Sequence, residues 1–292
     1  MSIWTRLSNG PFAVEFVDAG GVRTRSLRVG DGGAREVVVL LHGTSSHLEV
    51  WAGNVRAYAD AGLAAHAIDM LGHGFTDTAD HDCEVPHYVR HLLDYLDARG
   101  LDRVHLVGES LGGWVTAWFA AAYPERVRSL QLVASGGTRA VPAVMRRIRE
   151  TTTLAVTSPE RRYTRDRLAN LLHDPASVDE ELVDVRYAIY HQPAFQKNLP
   201  HLLCMQDPDV RARNLLTPER MARISAPTLV FWGRHNPMGD VSEAVGIHAA
   251  IPDAGLQVFD DCGHFPQIEY PDRFNELSVE FIRQTAAKEK RT

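Results

Sequence analysis

Cysteine is scarce in this chain: 292 residues hold three, Cys83, Cys204 and Cys262, with no C-x-x-C pair among them. That argues against a disulfide framework and a structural zinc site, and the thiols are expected to be reduced. No stretch approaches the ~18 apolar residues of a membrane span, and the opening MSIWTRLSNG lacks the charged-then-apolar order of a secretory signal. A cytoplasmic protein is expected. Long basic runs are also missing, and 31 Lys and Arg against 37 Asp and Glu leave a formal charge of −6. The field that draws proteins to phosphate backbones or anionic lipid is therefore absent, which argues against nucleic acid and membrane surfaces as partners. Neither a GxGxxG fingerprint nor a GxxxxGKS/T phosphate loop occurs, so no cofactor is implied.

What is present is an ordinary globular composition, 45% hydrophobic, 23% charged and 8% aromatic, enough to bury a large core and incompatible with disorder. Residues 14–18 and 22–29 read as a hairpin, followed by a turn cluster at 30–33. Residues 37–41, Val-Val-Val-Leu-Leu, form a continuous aliphatic run, the pattern of a strand covered on both faces. A helix at 50–61 is expected next, then strand 63–69, helix 86–98, strand 104–108, helix 111–123 and strand 130–134. Repeated strand-helix units imply a parallel sheet with helices on both faces. Between 135 and 225 the strand signal stops, and the spacing predicts helices near 143–153, 165–172 and 183–190 in an Arg-rich segment too long for a structureless loop. The alternation resumes with strand 228–232, helix 241–250, strand 256–259 and helix 272–285, before a charged tail, 288–291, expected to fray. The division is thus a core of 1–134 and 226–292 and an inserted helical cap of 135–225.

The strongest local signal is Gly108-Glu109-Ser110-Leu111-Gly112, a G-x-S-x-G sequence between a predicted strand and a predicted helix. A sharp strand-to-helix turn forces the serine into a strained conformation, and the flanking glycines remove Cβ atoms that would clash. Ser110 is then a nucleophile held above the sheet, with the Leu111 N–H offered to a developing oxyanion. His42-Gly43-Thr44 follows the first aliphatic strand, where Thr44 and the Gly43 backbone supply a second donor. Cys262-Gly263-His264-Phe265 places His264 after a late strand, on the same sheet edge as Ser110, as the base. Asp69 and His73 read as turn-holding residues, and Trp114, Trp118 and Met205 as core or pocket lining.

HGT (42–44), DMLGHG (69–74), GESLGG (108–113), FWGRHNP (231–237) and GHFPQIEYPDRFN (263–275), in this order with a cap before the fourth, resemble the α/β-hydrolase family over about residues 20–285. Within it the chain is most similar to the meta-cleavage product hydrolases, which split a carbon–carbon bond in vinylogous 1,5-diketone acids. The resemblance implies the α/β-hydrolase fold, a small-molecule substrate bearing a carboxylate or ester, and no cofactor or metal; a homodimer stays open. The position matching the family's acid is Asn236, while Asp240 lies four residues on, and both are candidates to orient His264. Arg186, in VDVRYAIYHQP, matches the segment where these hydrolases bind a substrate carboxylate; Ser45 and Phe265 are further substrate contacts. Glu109 stands where they often carry Asn. The rival readings are a carboxylesterase or lactonase with the same residues, a cofactor-free non-hydrolytic enzyme, and a non-catalytic binding protein on this fold.

Overall fold

A computed structural model describes residues 2–30 and 36–289. Most of the turn expected at 30–33 and the end of the tail lie outside that range. Eight strands, β1 (Phe12–Ala19), β2 (Val22–Val29), β3 (Val37–Leu41), β4 (Ala64–Ile68), β5 (Val104–Glu109), β6 (Val127–Val133), β7 (Thr228–Gly233) and β8 (Ala254–Phe259), form one sheet in the order β1-β2-β4-β3-β5-β6-β7-β8. β1 and β2 are an antiparallel hairpin turned by Gly20 (φ 63°) and Gly21 (φ 91°), a left-handed pair that suits the strand twist and disfavours side-chain-bearing residues. β2 meets β4 antiparallel, and β3 to β8 all run parallel. β4, β5 and β7 are buried throughout, which is why their sequences lack a polar/apolar alternation.

Helices α1 (Val55–Asp60), α2 (Val85–Ala98) and α3 (Leu111–Ala122) follow β3, β4 and β5. The segment between β6 and β7 carries α4 (Pro142–Thr157), α5 (Arg161–Ala169), α6 (Glu180–Tyr190), α7 (Pro193–Leu202), α8 (Pro208–Arg213) and α9 (Pro218–Met221) and no strand. α10 (Val241–Ala250), α11 (Pro266–Glu269) and α12 (Pro271–Glu289) complete the chain. α2, α3 and α10 bury one face of the sheet and α1 and α12 the other. β3 and β5 are neighbours whose connections leave in opposite directions along the sheet, and the crevice at their carboxyl ends is the switch point where such sheets bind ligands.

Three expectations need correction. The helix at 50–61 is a short 3-10 turn, Leu48–Trp51, and a separate α1, because Asn54 turns its amide to the Gln267 carbonyl (3.0 Å) and Asn275 Oδ1 (2.9 Å). α7 was hidden by Pro200 inside it. Lys288, expected in a frayed tail, lies within α12.

A buried ionic cluster fixes the loops after β3 and β4. Arg25 on β2 donates through Nε to Asp69 Oδ2 (2.6 Å) and through Nη2 to Glu49 Oε2 (2.7 Å), and His47 Nδ1 lies 2.8 Å from the same Glu49 oxygen. Asp69 also accepts the backbone N–H groups of Leu48 and Phe75, the turn-holding role expected for it. Arg25→Met leaves two buried carboxylates without their cation. The expected loss is about 3–5 kcal/mol of unfolding free energy at pH 7, read as a lower urea midpoint at unchanged slope; a loss below about 1 kcal/mol would show that the cluster does not hold the loops.

Candidate active site

Ser110 sits at φ 54°, ψ −111°, between β5 and α3. A Cβ on Gly108 would collide with the Gly112 carbonyl, and one on Gly112 with the Leu41 carbonyl. Both glycines are therefore required by close backbone approach, and the strained serine is held by its own N–H to Val133 O (2.9 Å) and by Gly136 N–H to Ser110 O (3.0 Å). Leu111 is the first residue of α3, where N–H groups have no intrahelical acceptor. Gly43, Thr44, Ser110, Leu111 and His264 line one cavity at the carboxyl ends of β3 and β5, roofed by the helices between β6 and β7. Backbone donors, a hydroxyl and an imidazole, the groups that acyl-transfer chemistry uses, thus line the same cavity.

His264 follows β8 on a loop pinned from three sides. Its backbone N–H donates to Leu171 O (2.7 Å), while Glu269 accepts the N–H groups of Gly263 (3.0 Å) and Phe265 (3.1 Å). The ring is buried, with Phe265 edge-on at 5.1 Å between centroids. Nδ1 lies 2.8 Å from Asn236 Oδ1, which also accepts the Met238 backbone N–H (3.0 Å). Because that oxygen can only accept, His264 Nδ1 must carry a proton. On the other side, Nε2 lies 3.1 Å from Glu109 Oε1. No hydrogen bond joins His264 to the Ser110 hydroxyl among the described residues; such contacts commonly tighten only when substrate arrives.

The cap contributes two buried cations. Arg186 on α6 donates to Ser46 Oγ (2.8 Å), and its Nε has no partner. Burial lowers its pKa and nearby Arg167 adds to this, against the opposing influence of Tyr190 and Glu109. Arg167 on α5 donates to Ser45 Oγ (2.8 Å) and Tyr190 Oη (3.3 Å). Both guanidiniums line the cavity wall with Ser46, Trp114, Met205 and Phe265.

A family model described as the alpha/beta hydrolase fold matches residues 36–271. The chain belongs to the α/β-hydrolase family. A 2-hydroxy-6-oxo-6-phenylhexa-2,4-dienoate hydrolase of Comamonas testosteroni is 32% identical over 263 residues, 87% of this chain and 90% of that one. A 2-hydroxy-6-oxononadienedioate/2-hydroxy-6-oxononatrienedioate hydrolase of Burkholderia vietnamiensis is 32% identical over 272 residues, 87% and 89% of the two chains. Among solved structures, a meta-cleavage product hydrolase from Pseudomonas fluorescens matches with a TM-score of 0.81 at 29% identity, covering 92% of this chain and 97% of the other.

Set within this α/β-hydrolase, several expected residues fall elsewhere. Asp240 is not beside His264: its carboxylate caps α10 by accepting the Ser242 N–H (2.8 Å) at the exposed surface, and Asn236 occupies the Nδ1 side alone. Ser45 (φ 53°) spends its hydroxyl on Arg167 and the Thr44 carbonyl and is not among the cavity-lining residues, whereas its neighbour Ser46 is. Arg186, expected as a carboxylate contact, does line the cavity, with its side chain buried in the wall. Arg167 and Glu269 carry no sequence signal of their own: the first is one arginine among many in the cap, and the second works by accepting backbone N–H groups and the Cys262 thiol. Trp114 and Met205 line the cavity and Trp118 packs half-buried against the core, under the Arg220 guanidinium at 3.2 Å, within the core-or-pocket role expected of all three. Among the described residues, one group has metal-ligand spacing, His173, His235 and Asp261, all exposed and outside the cavity.

Proposed function

We propose that the protein hydrolyses a carbon–carbon bond in a ring-fission dienoate, a vinylogous 1,5-diketone acid. Ser110 serves as nucleophile, or as partner to an activated water, after the substrate ketonises. His264 shuttles the proton, oriented by Asn236. Thr44, Leu111 and the Gly43 backbone receive the oxyanion. The observation that carries the reading is the pair of buried guanidiniums, Arg167 and Arg186, in the wall of the cavity that holds Ser110. A buried cation without an ionic partner costs free energy, and a substrate carboxylate on the free Arg186 Nε–H relieves that cost through a charge-assisted bond. A simple neutral ester makes no use of the pair.

The test sets a ring-fission dienoate, followed by loss of its colour, beside p-nitrophenyl esters of several chain lengths. Dienoate turnover is expected, and Arg186→Ala should raise KM for the dienoate about tenfold or more while leaving KM for neutral esters unchanged, since a charge-assisted contact is worth about 1.5–3 kcal/mol. Turnover of esters alone would make the protein a carboxylesterase. An equal response of both substrates to Arg186→Ala would reduce Arg186 to a packing residue.

A further inference from the structure

The family's charged partner for the histidine is absent on the Nδ1 side, where Asn236 offers only a neutral dipole. A neutral acceptor orients an imidazole but does not balance an imidazolium. On the Nε2 side, however, a carboxylate is present: Glu109, buried at the end of β5, with Oε1 3.1 Å from His264 Nε2. Its other oxygen, Oε2, is buried without a partner and packs over Gly43, where a Cβ would come within 2.6 Å of it. Gly43 thus provides the space that admits the carboxylate to the cavity.

We propose that Glu109 is the charge partner of His264, the two sharing one proton between Oε1 and Nε2 while Asn236 orients the ring. The proposal rests on the reading of His264 as the proton shuttle. The count of protons follows from the contacts. Nδ1–H is committed to Asn236, so Nε2 and Oε1 would face each other with lone pairs alone unless a proton lay between them. With that proton the dyad is neutral overall, and without it the dyad carries one negative charge. The form that acts as base is the anionic dyad, which has given the shared proton up to solvent: when Ser110 attacks, its Oγ–H bond breaks and an Nε2–H bond forms. The resulting imidazolium meets the Glu109 carboxylate, and the proton then passes from Nε2 to the departing carbon or oxygen. Other charged groups bear on the dyad: Arg186 from α6 interacts with Glu109, and Arg167 from α5 lies beside Arg186 and Tyr190. The unpartnered Oε2 is left as an acceptor for a water or substrate hydroxyl.

The experiment titrates the His264 ring by NMR in the free enzyme, for the wild type, Glu109→Gln, Glu109→Asp, and Glu109→Gln combined with Asn236→Asp. Glu109→Gln keeps shape and removes charge. Its ring should titrate about one pH unit or more lower, because an opposite charge within ~4–6 Å favours the protonated imidazole. Asn236→Asp in that background should move the midpoint back up, and Glu109→Asp should fall between. Ester kcat is expected to drop about 10–100-fold in Glu109→Gln and to recover in the double variant, which a merely structural loss would not do. An unmoved ring titration in Glu109→Gln overturns the proposal. If instead the ring responds but the wild type turns over neither a ring-fission dienoate nor a p-nitrophenyl ester, the dyad stands and the hydrolytic reading falls.

Discussion

Ser110→Ala is expected to lower kcat for p-nitrophenyl esters by about 10⁴–10⁶-fold, the scale seen when a serine nucleophile is removed while the rest of its site remains. The elbow holds the residue at φ 54° through backbone bonds that alanine keeps, so the variant should fold and bind. The buried free thiols Cys83, Cys204 and Cys262 are not in the cavity wall and offer no substitute nucleophile. On the dienoate the loss should be smaller if Ser110 positions water rather than attacking carbon. Single-turnover measurements on both substrates separate these cases: an acyl intermediate with the ester alone assigns the water route to carbon–carbon cleavage. Ester turnover within tenfold of wild type would remove Ser110 from the mechanism.

Acid should unfold this protein well above the pH at which carboxylates titrate. Burial holds His42, His66, His73 and His105 down at about 3 and His91 at about 4. Their neutral rings are structural: His42 Nε2 accepts the Met70 N–H (3.1 Å), and His91 Nδ1 accepts the Leu71 N–H (3.2 Å). In the unfolded chain each titrates near 6.5, so between pH 6.5 and about 3 the unfolded state binds more protons than the native one. Stability therefore rises with pH in that window and is lost as pH falls through it. At pH 5 each histidine costs about 2 kcal/mol and the five about 10 kcal/mol, comparable with a whole domain's stability of 5–15. Asp69, raised by its burial, opposes the trend, while Glu49, held near 2 by His47 and Arg25 against its own burial, adds to it at lower pH. Urea unfolding at pH 7.5, 6 and 5 measures the slope. An unfolding free energy at pH 5 within about 2 kcal/mol of that at pH 7.5 would contradict the sum.

The parts legible in the sequence are those whose cause is local. The run 37–41 can only be a strand buried on both faces, and it is β3. Gly108-Glu109-Ser110-Leu111-Gly112 carries its own steric requirement, and Ser110 duly has the strained φ between β5 and α3. The absence of strand signal after residue 134 marks the helical insertion between β6 and β7. The break at Asn54 and the helix through Pro200 were not legible, because contacts with residues far along the chain outweigh local propensity there.

The geometry of the candidate site divides the same way. From sequence alone, Ser110 and His264 stand out, because one lies in a turn of fixed stereochemistry and the other in a loop placed by the strand order. Which group faces each nitrogen of His264 was decided only in three dimensions. Asn236 and Asp240 lie four residues apart in one loop, and it is the N-cap of α10 that draws Asp240 to the surface and leaves Asn236 against Nδ1. Glu109 reads as a mere substitution beside the nucleophile until β5, the Gly43 backbone and the β8 loop bring its carboxylate to Nε2. Arg186 and Arg167 become distinguishable from the other cap arginines only by burial. Local stereochemistry is written in neighbouring residues, whereas charge pairing depends on distances across the cavity that the packing of cap on sheet alone sets.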